Sequence, residues 1–181
     1  MPPTLPETER FRLRELRADD GAFALALLND PDFLAYIGDR GVRDADQARA
    51  YLLEGPIASY ARHGFGMWAV EMKHDGSVAG MCGLVRRELL PGPDLGYAFL
   101  PQWRGQGLAR EAARLSLDIA FGPLALPRVL AIVSIGNVAS RRLLESLGMR
   151  LQGPQALNGE TLLVYELDRP AALTPASGSG S

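Results

Sequence analysis

Hydrophobic and polar positions follow two different periods along the chain, and each period predicts one kind of element. Segments that alternate apolar and polar residues, or that run through branched apolar residues, are predicted to be strands. These segments are 10–16, 65–72, 78–86, 94–100, 128–134, 150–152 and 161–167. Segments in which apolar residues return every three or four positions are predicted to be helices. These segments are 19–29, 44–62, 108–121 and 137–147.

Turn and capping residues separate these segments. Pro31 is expected to end the first helix, because proline cannot continue a helical hydrogen-bond pattern. Asp44, with Gln47 three residues later, has the spacing of a capping box at the start of the second helix. The pair Gly55-Pro56 is expected to break or kink that helix before it resumes. Asp75-Gly76, between two strands, predicts a hairpin turn.

The order of the elements predicts a mixed α/β (α+β) fold: strand, two helices, three strands, helix, strand, helix and two strands. No repeat or break in composition divides residues 10–168, so we expect a single domain there. Residues 1–9 are rich in proline, and residues 169–181 are mostly proline, alanine, serine and glycine. Neither end can bury much apolar surface, and we expect both to be flexible.

Composition and charge exclude several classes of protein. The chain of 181 residues has a formal net charge of −2, which argues against a nucleic-acid-binding protein that relies on a basic surface. No apolar run approaches the roughly 20 residues that span a bilayer, and the start, MPPTLPETER, does not resemble a signal peptide. Cys82 is the only cysteine, which excludes an internal disulfide and a multi-cysteine metal site. We therefore expect a cytoplasmic protein with no nucleic-acid or membrane partner and no metal.

The most informative segment is the glycine-rich stretch QWRGQGLA at residues 102–109, between a predicted strand and an amphipathic helix. Gly105 and Gly107 allow the backbone to turn and to approach a ligand closely. The unpaired amides and the dipole of the helix start attract an anion such as pyrophosphate, and Arg104 and Arg110 are placed to add charge-assisted contacts. The stretch is not a Walker loop, and Arg110 stands where the dinucleotide fingerprint requires glycine or alanine. A plain glycine-rich turn before a helix stays open.

The same stretch resembles the Q/R-x-x-G-x-G/A signature of the GNAT superfamily of acetyl-CoA-dependent N-acetyltransferases. Further along, Asn137 and Ser140 resemble the N-x-x-S/A pattern of that family, and Gly148-Met149 resembles its G-F pair, with methionine in place of phenylalanine. The segments ERFRLRELRADD (9–20) and DLGY (94–97) look like the ribosomal-protein-alanine N-acetyltransferase branch. The resemblance covers residues 10–167.

The resemblance implies a mostly antiparallel central sheet of six or seven strands, splayed in the middle, with about four helices on its two faces. It also implies acetyl-CoA as co-substrate and no metal. In the family, backbone amides of the glycine-rich loop hold the pyrophosphate, and the pantetheine arm pairs like an extra strand with the strand before that loop. The implied acetyl-CoA-binding residues of this chain are Ala98, Phe99, Leu100, Gln102, Arg104, Gly105, Gln106, Gly107, Leu108, Ala109, Arg110, Asn137 and Ser140.

The resemblance also implies direct attack of an amine on the thioester in a ternary complex. Many relatives carry a tyrosine that protonates the leaving thiolate, but this chain has Leu144 there, and Ser140 is the implied substitute. Because amines are protonated at neutral pH, a base is useful. Asp94 opens the strand that would face the substrate and is the first candidate, ahead of Glu71 and Glu88; deprotonation through water is the alternative. The competing interpretations are a solvated charge for Asp94 and a surface serine for Ser140.

The acceptor is expected to be a primary amine, either a protein N-terminus or a small molecule. Candidates for its pocket are Tyr97 and two residues of the predicted loop between the first two helices, Phe33 and Tyr36. Monomer and homodimer both stay open. Two other functions also stay open: a module that binds or senses acetyl-CoA without turnover, which Leu144 favours, and a plain interaction domain.

Overall fold

Seven strands form one open sheet, in the order β1-β2-β3-β4-β5-β7-β6, in a computed structural model that describes residues 2–171. The strands are β1 (Phe11–Glu15), β2 (Met67–Met72), β3 (Val78–Val85), β4 (Asp94–Phe99), β5 (Arg128–Ser134), β6 (Arg150–Leu157) and β7 (Glu160–Asp168). All neighbouring pairs are antiparallel except β4 and β5. The predicted mixed and mostly antiparallel sheet is confirmed.

Six α-helical segments accompany the sheet: α1 (Gly21–Leu28), α2 (Pro31–Tyr36), α3 (Ala45–Leu52), α4 (Ala58–His63), α5 (Leu108–Phe121) and α6 (Val138–Ser146). A π-helical turn at Leu53–Ile57, which contains Pro56, joins α3 to α4. The predicted kink is therefore a widened turn within one helix, and the segments make five helices. Within residues 2–171 no helix combines the length and the apolar character that crossing a membrane requires.

The helix α2 was not predicted, and it corrects the expectation for Pro31. Asp30 caps this helix by accepting a hydrogen bond from the Phe33 amide at 3.2 Å, and Pro31 occupies its first turn. Proline ends one helix and begins the next, because the first amides of a helix need no intrahelical acceptor. Phe33 and Tyr36 thus lie on a helix and not in a loop.

The ends of the domain are only partly described. Residues 6–8 lie against β1, where the Leu13 amide donates to the Pro6 carbonyl at 3.1 Å and the Thr8 amide to the Phe11 carbonyl at 2.8 Å. This part of the predicted flexible N-terminus is therefore hydrogen-bonded to the sheet. Most of the predicted tail 169–181 lies outside the described residues, and the predicted domain boundaries stay a prediction.

The sheet buries apolar residues on both faces. Because successive strand residues point to opposite faces, Cys82 of β3 packs with α5 and α6 while its neighbour Met81 packs with α1 and α3. The helices contribute residues such as Leu117 on the first face and Leu27 on the second, exposed by 5% and 1%. Burying one such leucine side chain stabilises the fold by about 1.5–3 kcal/mol.

The parallel pair β4 and β5 separates almost at once. The two strands pair only at Asp94 and Leu130, where the Leu130 amide donates to the Pro93 carbonyl at 2.9 Å. Beyond this point the strands splay, as the family resemblance implies. The splay leaves one edge of β4 without a strand partner in the middle of the sheet, and this gap positions the candidate site.

Candidate active site

A cavity of about 1080 Å³ opens where β4 and β5 separate. Its walls come mainly from β4, β5, the start of α6, the segment that includes α2, the segment after β3, and the turn between β6 and β7, and α3 adds one residue. It is lined by many of the predicted site residues, namely Phe33, Tyr36, Asp94, Tyr97, Ala98, Phe99, Arg104, Ala109, Asn137 and Ser140. The fold therefore brings together candidates that lie more than one hundred positions apart in the sequence.

The splayed edge of β4 exposes backbone hydrogen-bonding groups to this cavity. The Leu100 amide donates to the Ala79 carbonyl of β3 at 3.0 Å, and the register of the two strands pairs Ala98 with Met81 of β3. Because antiparallel strands alternate their hydrogen-bonding direction, the backbones of Tyr97 and Phe99 point the other way, toward β5. Of the three residues predicted to pair with the pantetheine arm, Ala98 and Leu100 therefore have their backbone groups directed toward β3. Phe99 and Tyr97 have theirs at the open edge.

The glycine-rich loop provides the second set of free backbone donors. Gly105 and Gly107 have φ angles of +73° and +78°, in the left-handed region that favours glycine. Within the described chain, no acceptor takes the six consecutive amides from Gly105 to Arg110, because α5 begins at Leu108 and its internal hydrogen bonds begin later. This run of free amides at a 14-residue helix is a site for an anion.

An ion pair holds the back of this loop. Nη1 of Arg10 donates to the Gln106 carbonyl at 2.7 Å, and its Nε donates to Oε2 of Glu111 at 3.2 Å. The Gln106 carbonyl is fixed toward β1, so the neighbouring amides are free to face the other side. Arg10 lies 96 positions before Gln106, and no local pattern pointed to this role.

The Arg104 side chain forms ion pairs within the protein, whereas the sequence predicted that it contacts a phosphate. Its Nη2 lies 2.5 Å from Oδ2 of Asp30, its Nη1 lies 2.9 Å from Oδ2 of Asp32, and its Nε donates to the Phe99 carbonyl at 3.0 Å. Its amide donates to the Pro101 carbonyl at 3.2 Å. The guanidinium charge is already compensated, and it ties the glycine-rich loop to the start of α2.

Arg110 and Gln102, two of the predicted acetyl-CoA-binding residues, are exposed. Arg110 forms no ion pair within the described residues, so its charge is available beside the free amides. Gln102 uses its carbonyl to accept a hydrogen bond from the Gln106 side chain at 3.1 Å, which closes the loop on itself.

On one face of the splay, a tyrosine and a serine form a hydroxyl pair. The Tyr97 hydroxyl of β4 lies 2.6 Å from Oγ of Ser140 in α6. Burial raises the pKa of Tyr97 to about 12, and the hydrogen bond shared with Ser140 acts in the opposite direction and lowers the pKa. The phenol therefore stays protonated at neutral pH and can donate. The interpretation of Ser140 as a plain surface serine is not supported by this contact.

Asn137 and Leu144 support this helix from either side of Ser140. Oδ1 of Asn137 accepts a hydrogen bond from the Ser140 amide at 3.2 Å, so its side chain caps α6. The sequence assigned Asn137 to the ligand and missed this capping function. Leu144, where the family resemblance implies a tyrosine, is 1% exposed and belongs to the main core, although it also lines the cavity.

On the other face of β4, Asp94 is buried and not solvated. It is 1% exposed, and its Oδ1 accepts a hydrogen bond from Nε of Arg87 at 2.9 Å. Burial raises the pKa of Asp94 to about 6, and Arg87 limits the rise. Because the side chain is buried, the interpretation as a solvated strand-end charge is wrong. A carboxylate with this pKa is ionised at neutral pH and can still accept a proton. Arg87 was not among the predicted residues.

The remaining candidates for the acceptor pocket and for the base differ in whether they are exposed to the cavity. Tyr36 is 41% exposed at the cavity, whereas Phe33 is 3% exposed and mainly packs in the core of the α1–α3 face. Glu71 is bound by Arg14 on β1 and does not line the cavity, whereas Glu88 does. Within residues 2–171, no group of three or more histidine, cysteine, aspartate or glutamate side chains could hold a metal ion.

Cys82 lies in the core of the α5 face of the sheet. Its thiol is fully buried, and this burial raises its pKa to about 12. Its sulfur lies 3.4 Å from Oγ of Ser116, a contact without a basic partner. A thiol in this state is a poor nucleophile, so the cysteine contributes packing.

Comparison with known proteins agrees with this geometry. The model of the acetyltransferase (GNAT) domain matches residues 10–150. The uncharacterized protein YkkB of Bacillus subtilis (strain 168) is 32% identical over 162 residues, which cover 88% of this chain and 92% of YkkB. The uncharacterized N-acetyltransferase YoaA of the same organism is 25% identical over 148 residues, which cover 81% of this chain and 83% of YoaA.

Solved structures agree as well. An acetyltransferase from Agrobacterium tumefaciens str. C58 superposes with a TM-score of 0.77 at 27% identity, covering 91% of this chain and 94% of that one. Spermidine N-acetyltransferase from Vibrio cholerae, solved in complex with CoA and spermine, gives a TM-score of 0.74 at 18% identity, covering 90% and 97%, and shows the shared fold. Since the family model spans most of the chain and YkkB matches nearly end to end, the chain belongs to the GNAT acetyltransferase family.

Proposed function

We propose that the protein transfers the acetyl group of acetyl-CoA to a primary amine by direct attack within a ternary complex. The observation that carries this proposal is the coincidence of three features at one splay: six free loop amides, an unpaired edge of β4, and a buried carboxylate at the base of the same strand. Acetyl-CoA supplies an activated thioester, which releases a thiolate when an amine takes the acetyl group.

The free groups of the chain fit the parts of acetyl-CoA. Six consecutive amides and the Arg110 side chain match a pyrophosphate, which needs several donors in a small space. The backbones of Tyr97 and Phe99 match the amide groups of a pantetheine arm, because an extended chain can pair with an open strand edge.

The two faces of β4 separate the incoming amine from the leaving sulfur. Asp94 and Tyr97 are three residues apart on one strand, so their side chains project to opposite faces. Asp94 takes one proton from the ammonium group before attack and releases it to solvent, and it takes a second proton from the same nitrogen when the tetrahedral intermediate collapses. The hydroxyl pair of Tyr97 and Ser140 donates a hydrogen bond to the developing thiolate and passes it one proton, which solvent restores. Each turnover thus removes two protons from the nitrogen and places one on the sulfur, so that one proton is released to solvent.

A thiol-release assay with acetyl-CoA and a panel of amines tests the function, and calorimetry with CoA tests binding separately. We expect CoA to bind and free thiol to appear with at least one amine. Absence of both CoA binding and thiol release with every amine would overturn the proposal.

A second function, binding or sensing of acetyl-CoA without turnover, is favoured by one observation, the leucine at position 144. CoA binding with no thiol release from any amine would support it. In that case Ser140→Ala would leave CoA affinity unchanged and would have no activity to remove.

A further inference from the structure

Two arginines and a tyrosine line the cavity that Asp94 also lines. Arg40 lies between α2 and α3, Arg87 follows β3, and Tyr51 belongs to α3; all three line the cavity. Burial raises the pKa of Tyr51, and the charges of Arg40 and Arg87 both act on its hydroxyl in the opposite direction. Both arginines therefore bring a positive charge to the cavity that Tyr51 lines.

The charge of this arginine pair is only partly compensated. Arg87 donates to Asp94 through Nε alone, and its two terminal nitrogens have no acceptor within residues 2–171. Arg40 forms no ion pair in the same part of the chain. Glu88 and Glu160 also line the cavity, but neither pairs with either arginine. Two cations at one cavity repel each other, and an anionic group bound between them would remove that repulsion and use their free donors.

The opposite charge lies directly beside this pair. Oδ1 of Asp94 is 2.9 Å from Nε of Arg87, so a site for a cation adjoins a site for an anion. A ligand that uses both sites must carry an ammonium and an anionic group on the same or adjoining atoms. An α-amino acid has this arrangement.

We propose that the acceptor is a free α-amino acid, whose amine faces Asp94 and whose carboxylate is bound by Arg87 and Arg40 with the Tyr51 hydroxyl. The proposal rests on the proposed function, since it names the substrate of the same site. A polyamine would place a second cation against two arginines. A peptide N-terminus would offer a neutral amide in place of the carboxylate and leave both guanidinium groups without an anion.

The experiment compares matched amines that differ only at the carboxylate. The twenty amino acids are screened by thiol release, and each active one is compared with its α-amide and with its decarboxylated amine; spermidine and an alanine-initiated peptide complete the panel. We expect kcat/KM for the acid to exceed that for the amide by on the order of 100-fold, because charged hydrogen bonds are lost. Arg40→Met should reduce this ratio to below about 10-fold.

Arg86→Met is the control, because it removes the same charge one residue away from Arg87, on a side chain that lines a different cavity. It should keep the preference for the acid. Equal rates for acid and amide, a preference for spermidine or the peptide, or an unchanged ratio in Arg40→Met would each overturn the amino-acid assignment while leaving the transferase standing.

Binding of a product separates this proposal from failure of the proposed function. If no amine releases thiol, calorimetry measures binding of N-acetylleucine to the CoA-loaded protein. Binding by the wild type that Arg40→Met abolishes would support the carboxylate site even though the transferase proposal fails. Absence of binding would overturn the site.

Discussion

Replacing Asp94 with asparagine should make the protein less active and, at neutral pH, more stable. The carboxylate is buried, and this burial raises its pKa from 3.8 to about 6. A carboxyl whose pKa is raised by folding holds its proton more firmly in the folded than in the unfolded chain. The folded protein therefore loses stability as the pH rises from about 4 to 6, and the loss is complete above that range.

The magnitude follows from the pKa difference. At about 1.4 kcal/mol for each pH unit, the ionised carboxylate costs about 3 kcal/mol of folding free energy at pH 8. Near pH 4.5 the cost is about 1 kcal/mol, since the folded side chain is still protonated. Asparagine does not titrate, and Arg87, whose side chain is 37% exposed, can turn to solvent at any pH. The stability of Asp94→Asn relative to the wild type should rise by about 2 kcal/mol between pH 4.5 and 8.

Urea unfolding of both proteins at several pH values measures this difference, in which the other carboxylates cancel. Asp75→Asn is the control, because Asp75 is exposed in a hairpin and its pKa is lowered by the Ser77 amide, which gives the opposite sign. In parallel, kcat should fall by about 10²–10⁴-fold in Asp94→Asn. A relative stability that stays flat or falls with pH would mean that Asp94 is a structural partner of Arg87 and would refute its assignment as the base.

Three further predictions concern the loop, the hydroxyl pair and the ion pair. Gly107→Val should abolish CoA binding in calorimetry. The control Gly76→Val, at a similar φ of +75° in a distant hairpin, should lose a comparable amount of stability but still bind CoA. Tyr97→Phe and Ser140→Ala should each lower kcat by about 10–100-fold, and the double variant should lose little more, because the two hydroxyls act as one unit; additive losses in steady-state kinetics would contradict this. Arg104→Met should lower the free energy of unfolding by about 3 kcal/mol in a urea titration, since it leaves a buried carboxylate unpaired; an unchanged midpoint would contradict it.

The long periodic segments were predicted correctly, whereas the short helix α2, which begins at Pro31, was missed. The bounds of α5 and β5 match their predictions, because 14 and 7 residues of regular pattern outweigh local exceptions. The helix α2 was missed because Pro31 was interpreted only as a stop signal. Asp30 before Pro31 is a capping residue before a first-turn proline, and this pair could have revealed the helix.

The electrostatics of the site could not be predicted from local pattern. Arg104 is 72 and 74 positions from its two carboxylate partners, so its engagement depends on how the faces pack. Asp94 looked like a charge at a strand end, and its burial follows from the parallel contact with β5, which brings Leu130 beside it. The glycine-rich loop was predictable because its free amides depend on the backbone of one short segment.

The absence of a tyrosine at position 144 is weak support for a protein that binds acetyl-CoA without turnover. Tyr97 of β4 also carries a phenol, and its hydroxyl contacts Ser140, one turn before Leu144. A binding module would need the free amides and the open strand edge but would have no use for a buried carboxylate with a pKa of about 6 on the opposite face of the same strand. Ionising that carboxylate costs stability in the folded protein, which is typical of a group retained for chemistry. The hydroxyl pair and the carboxylate together therefore favour turnover, with the proton donor moved from the helix to the strand.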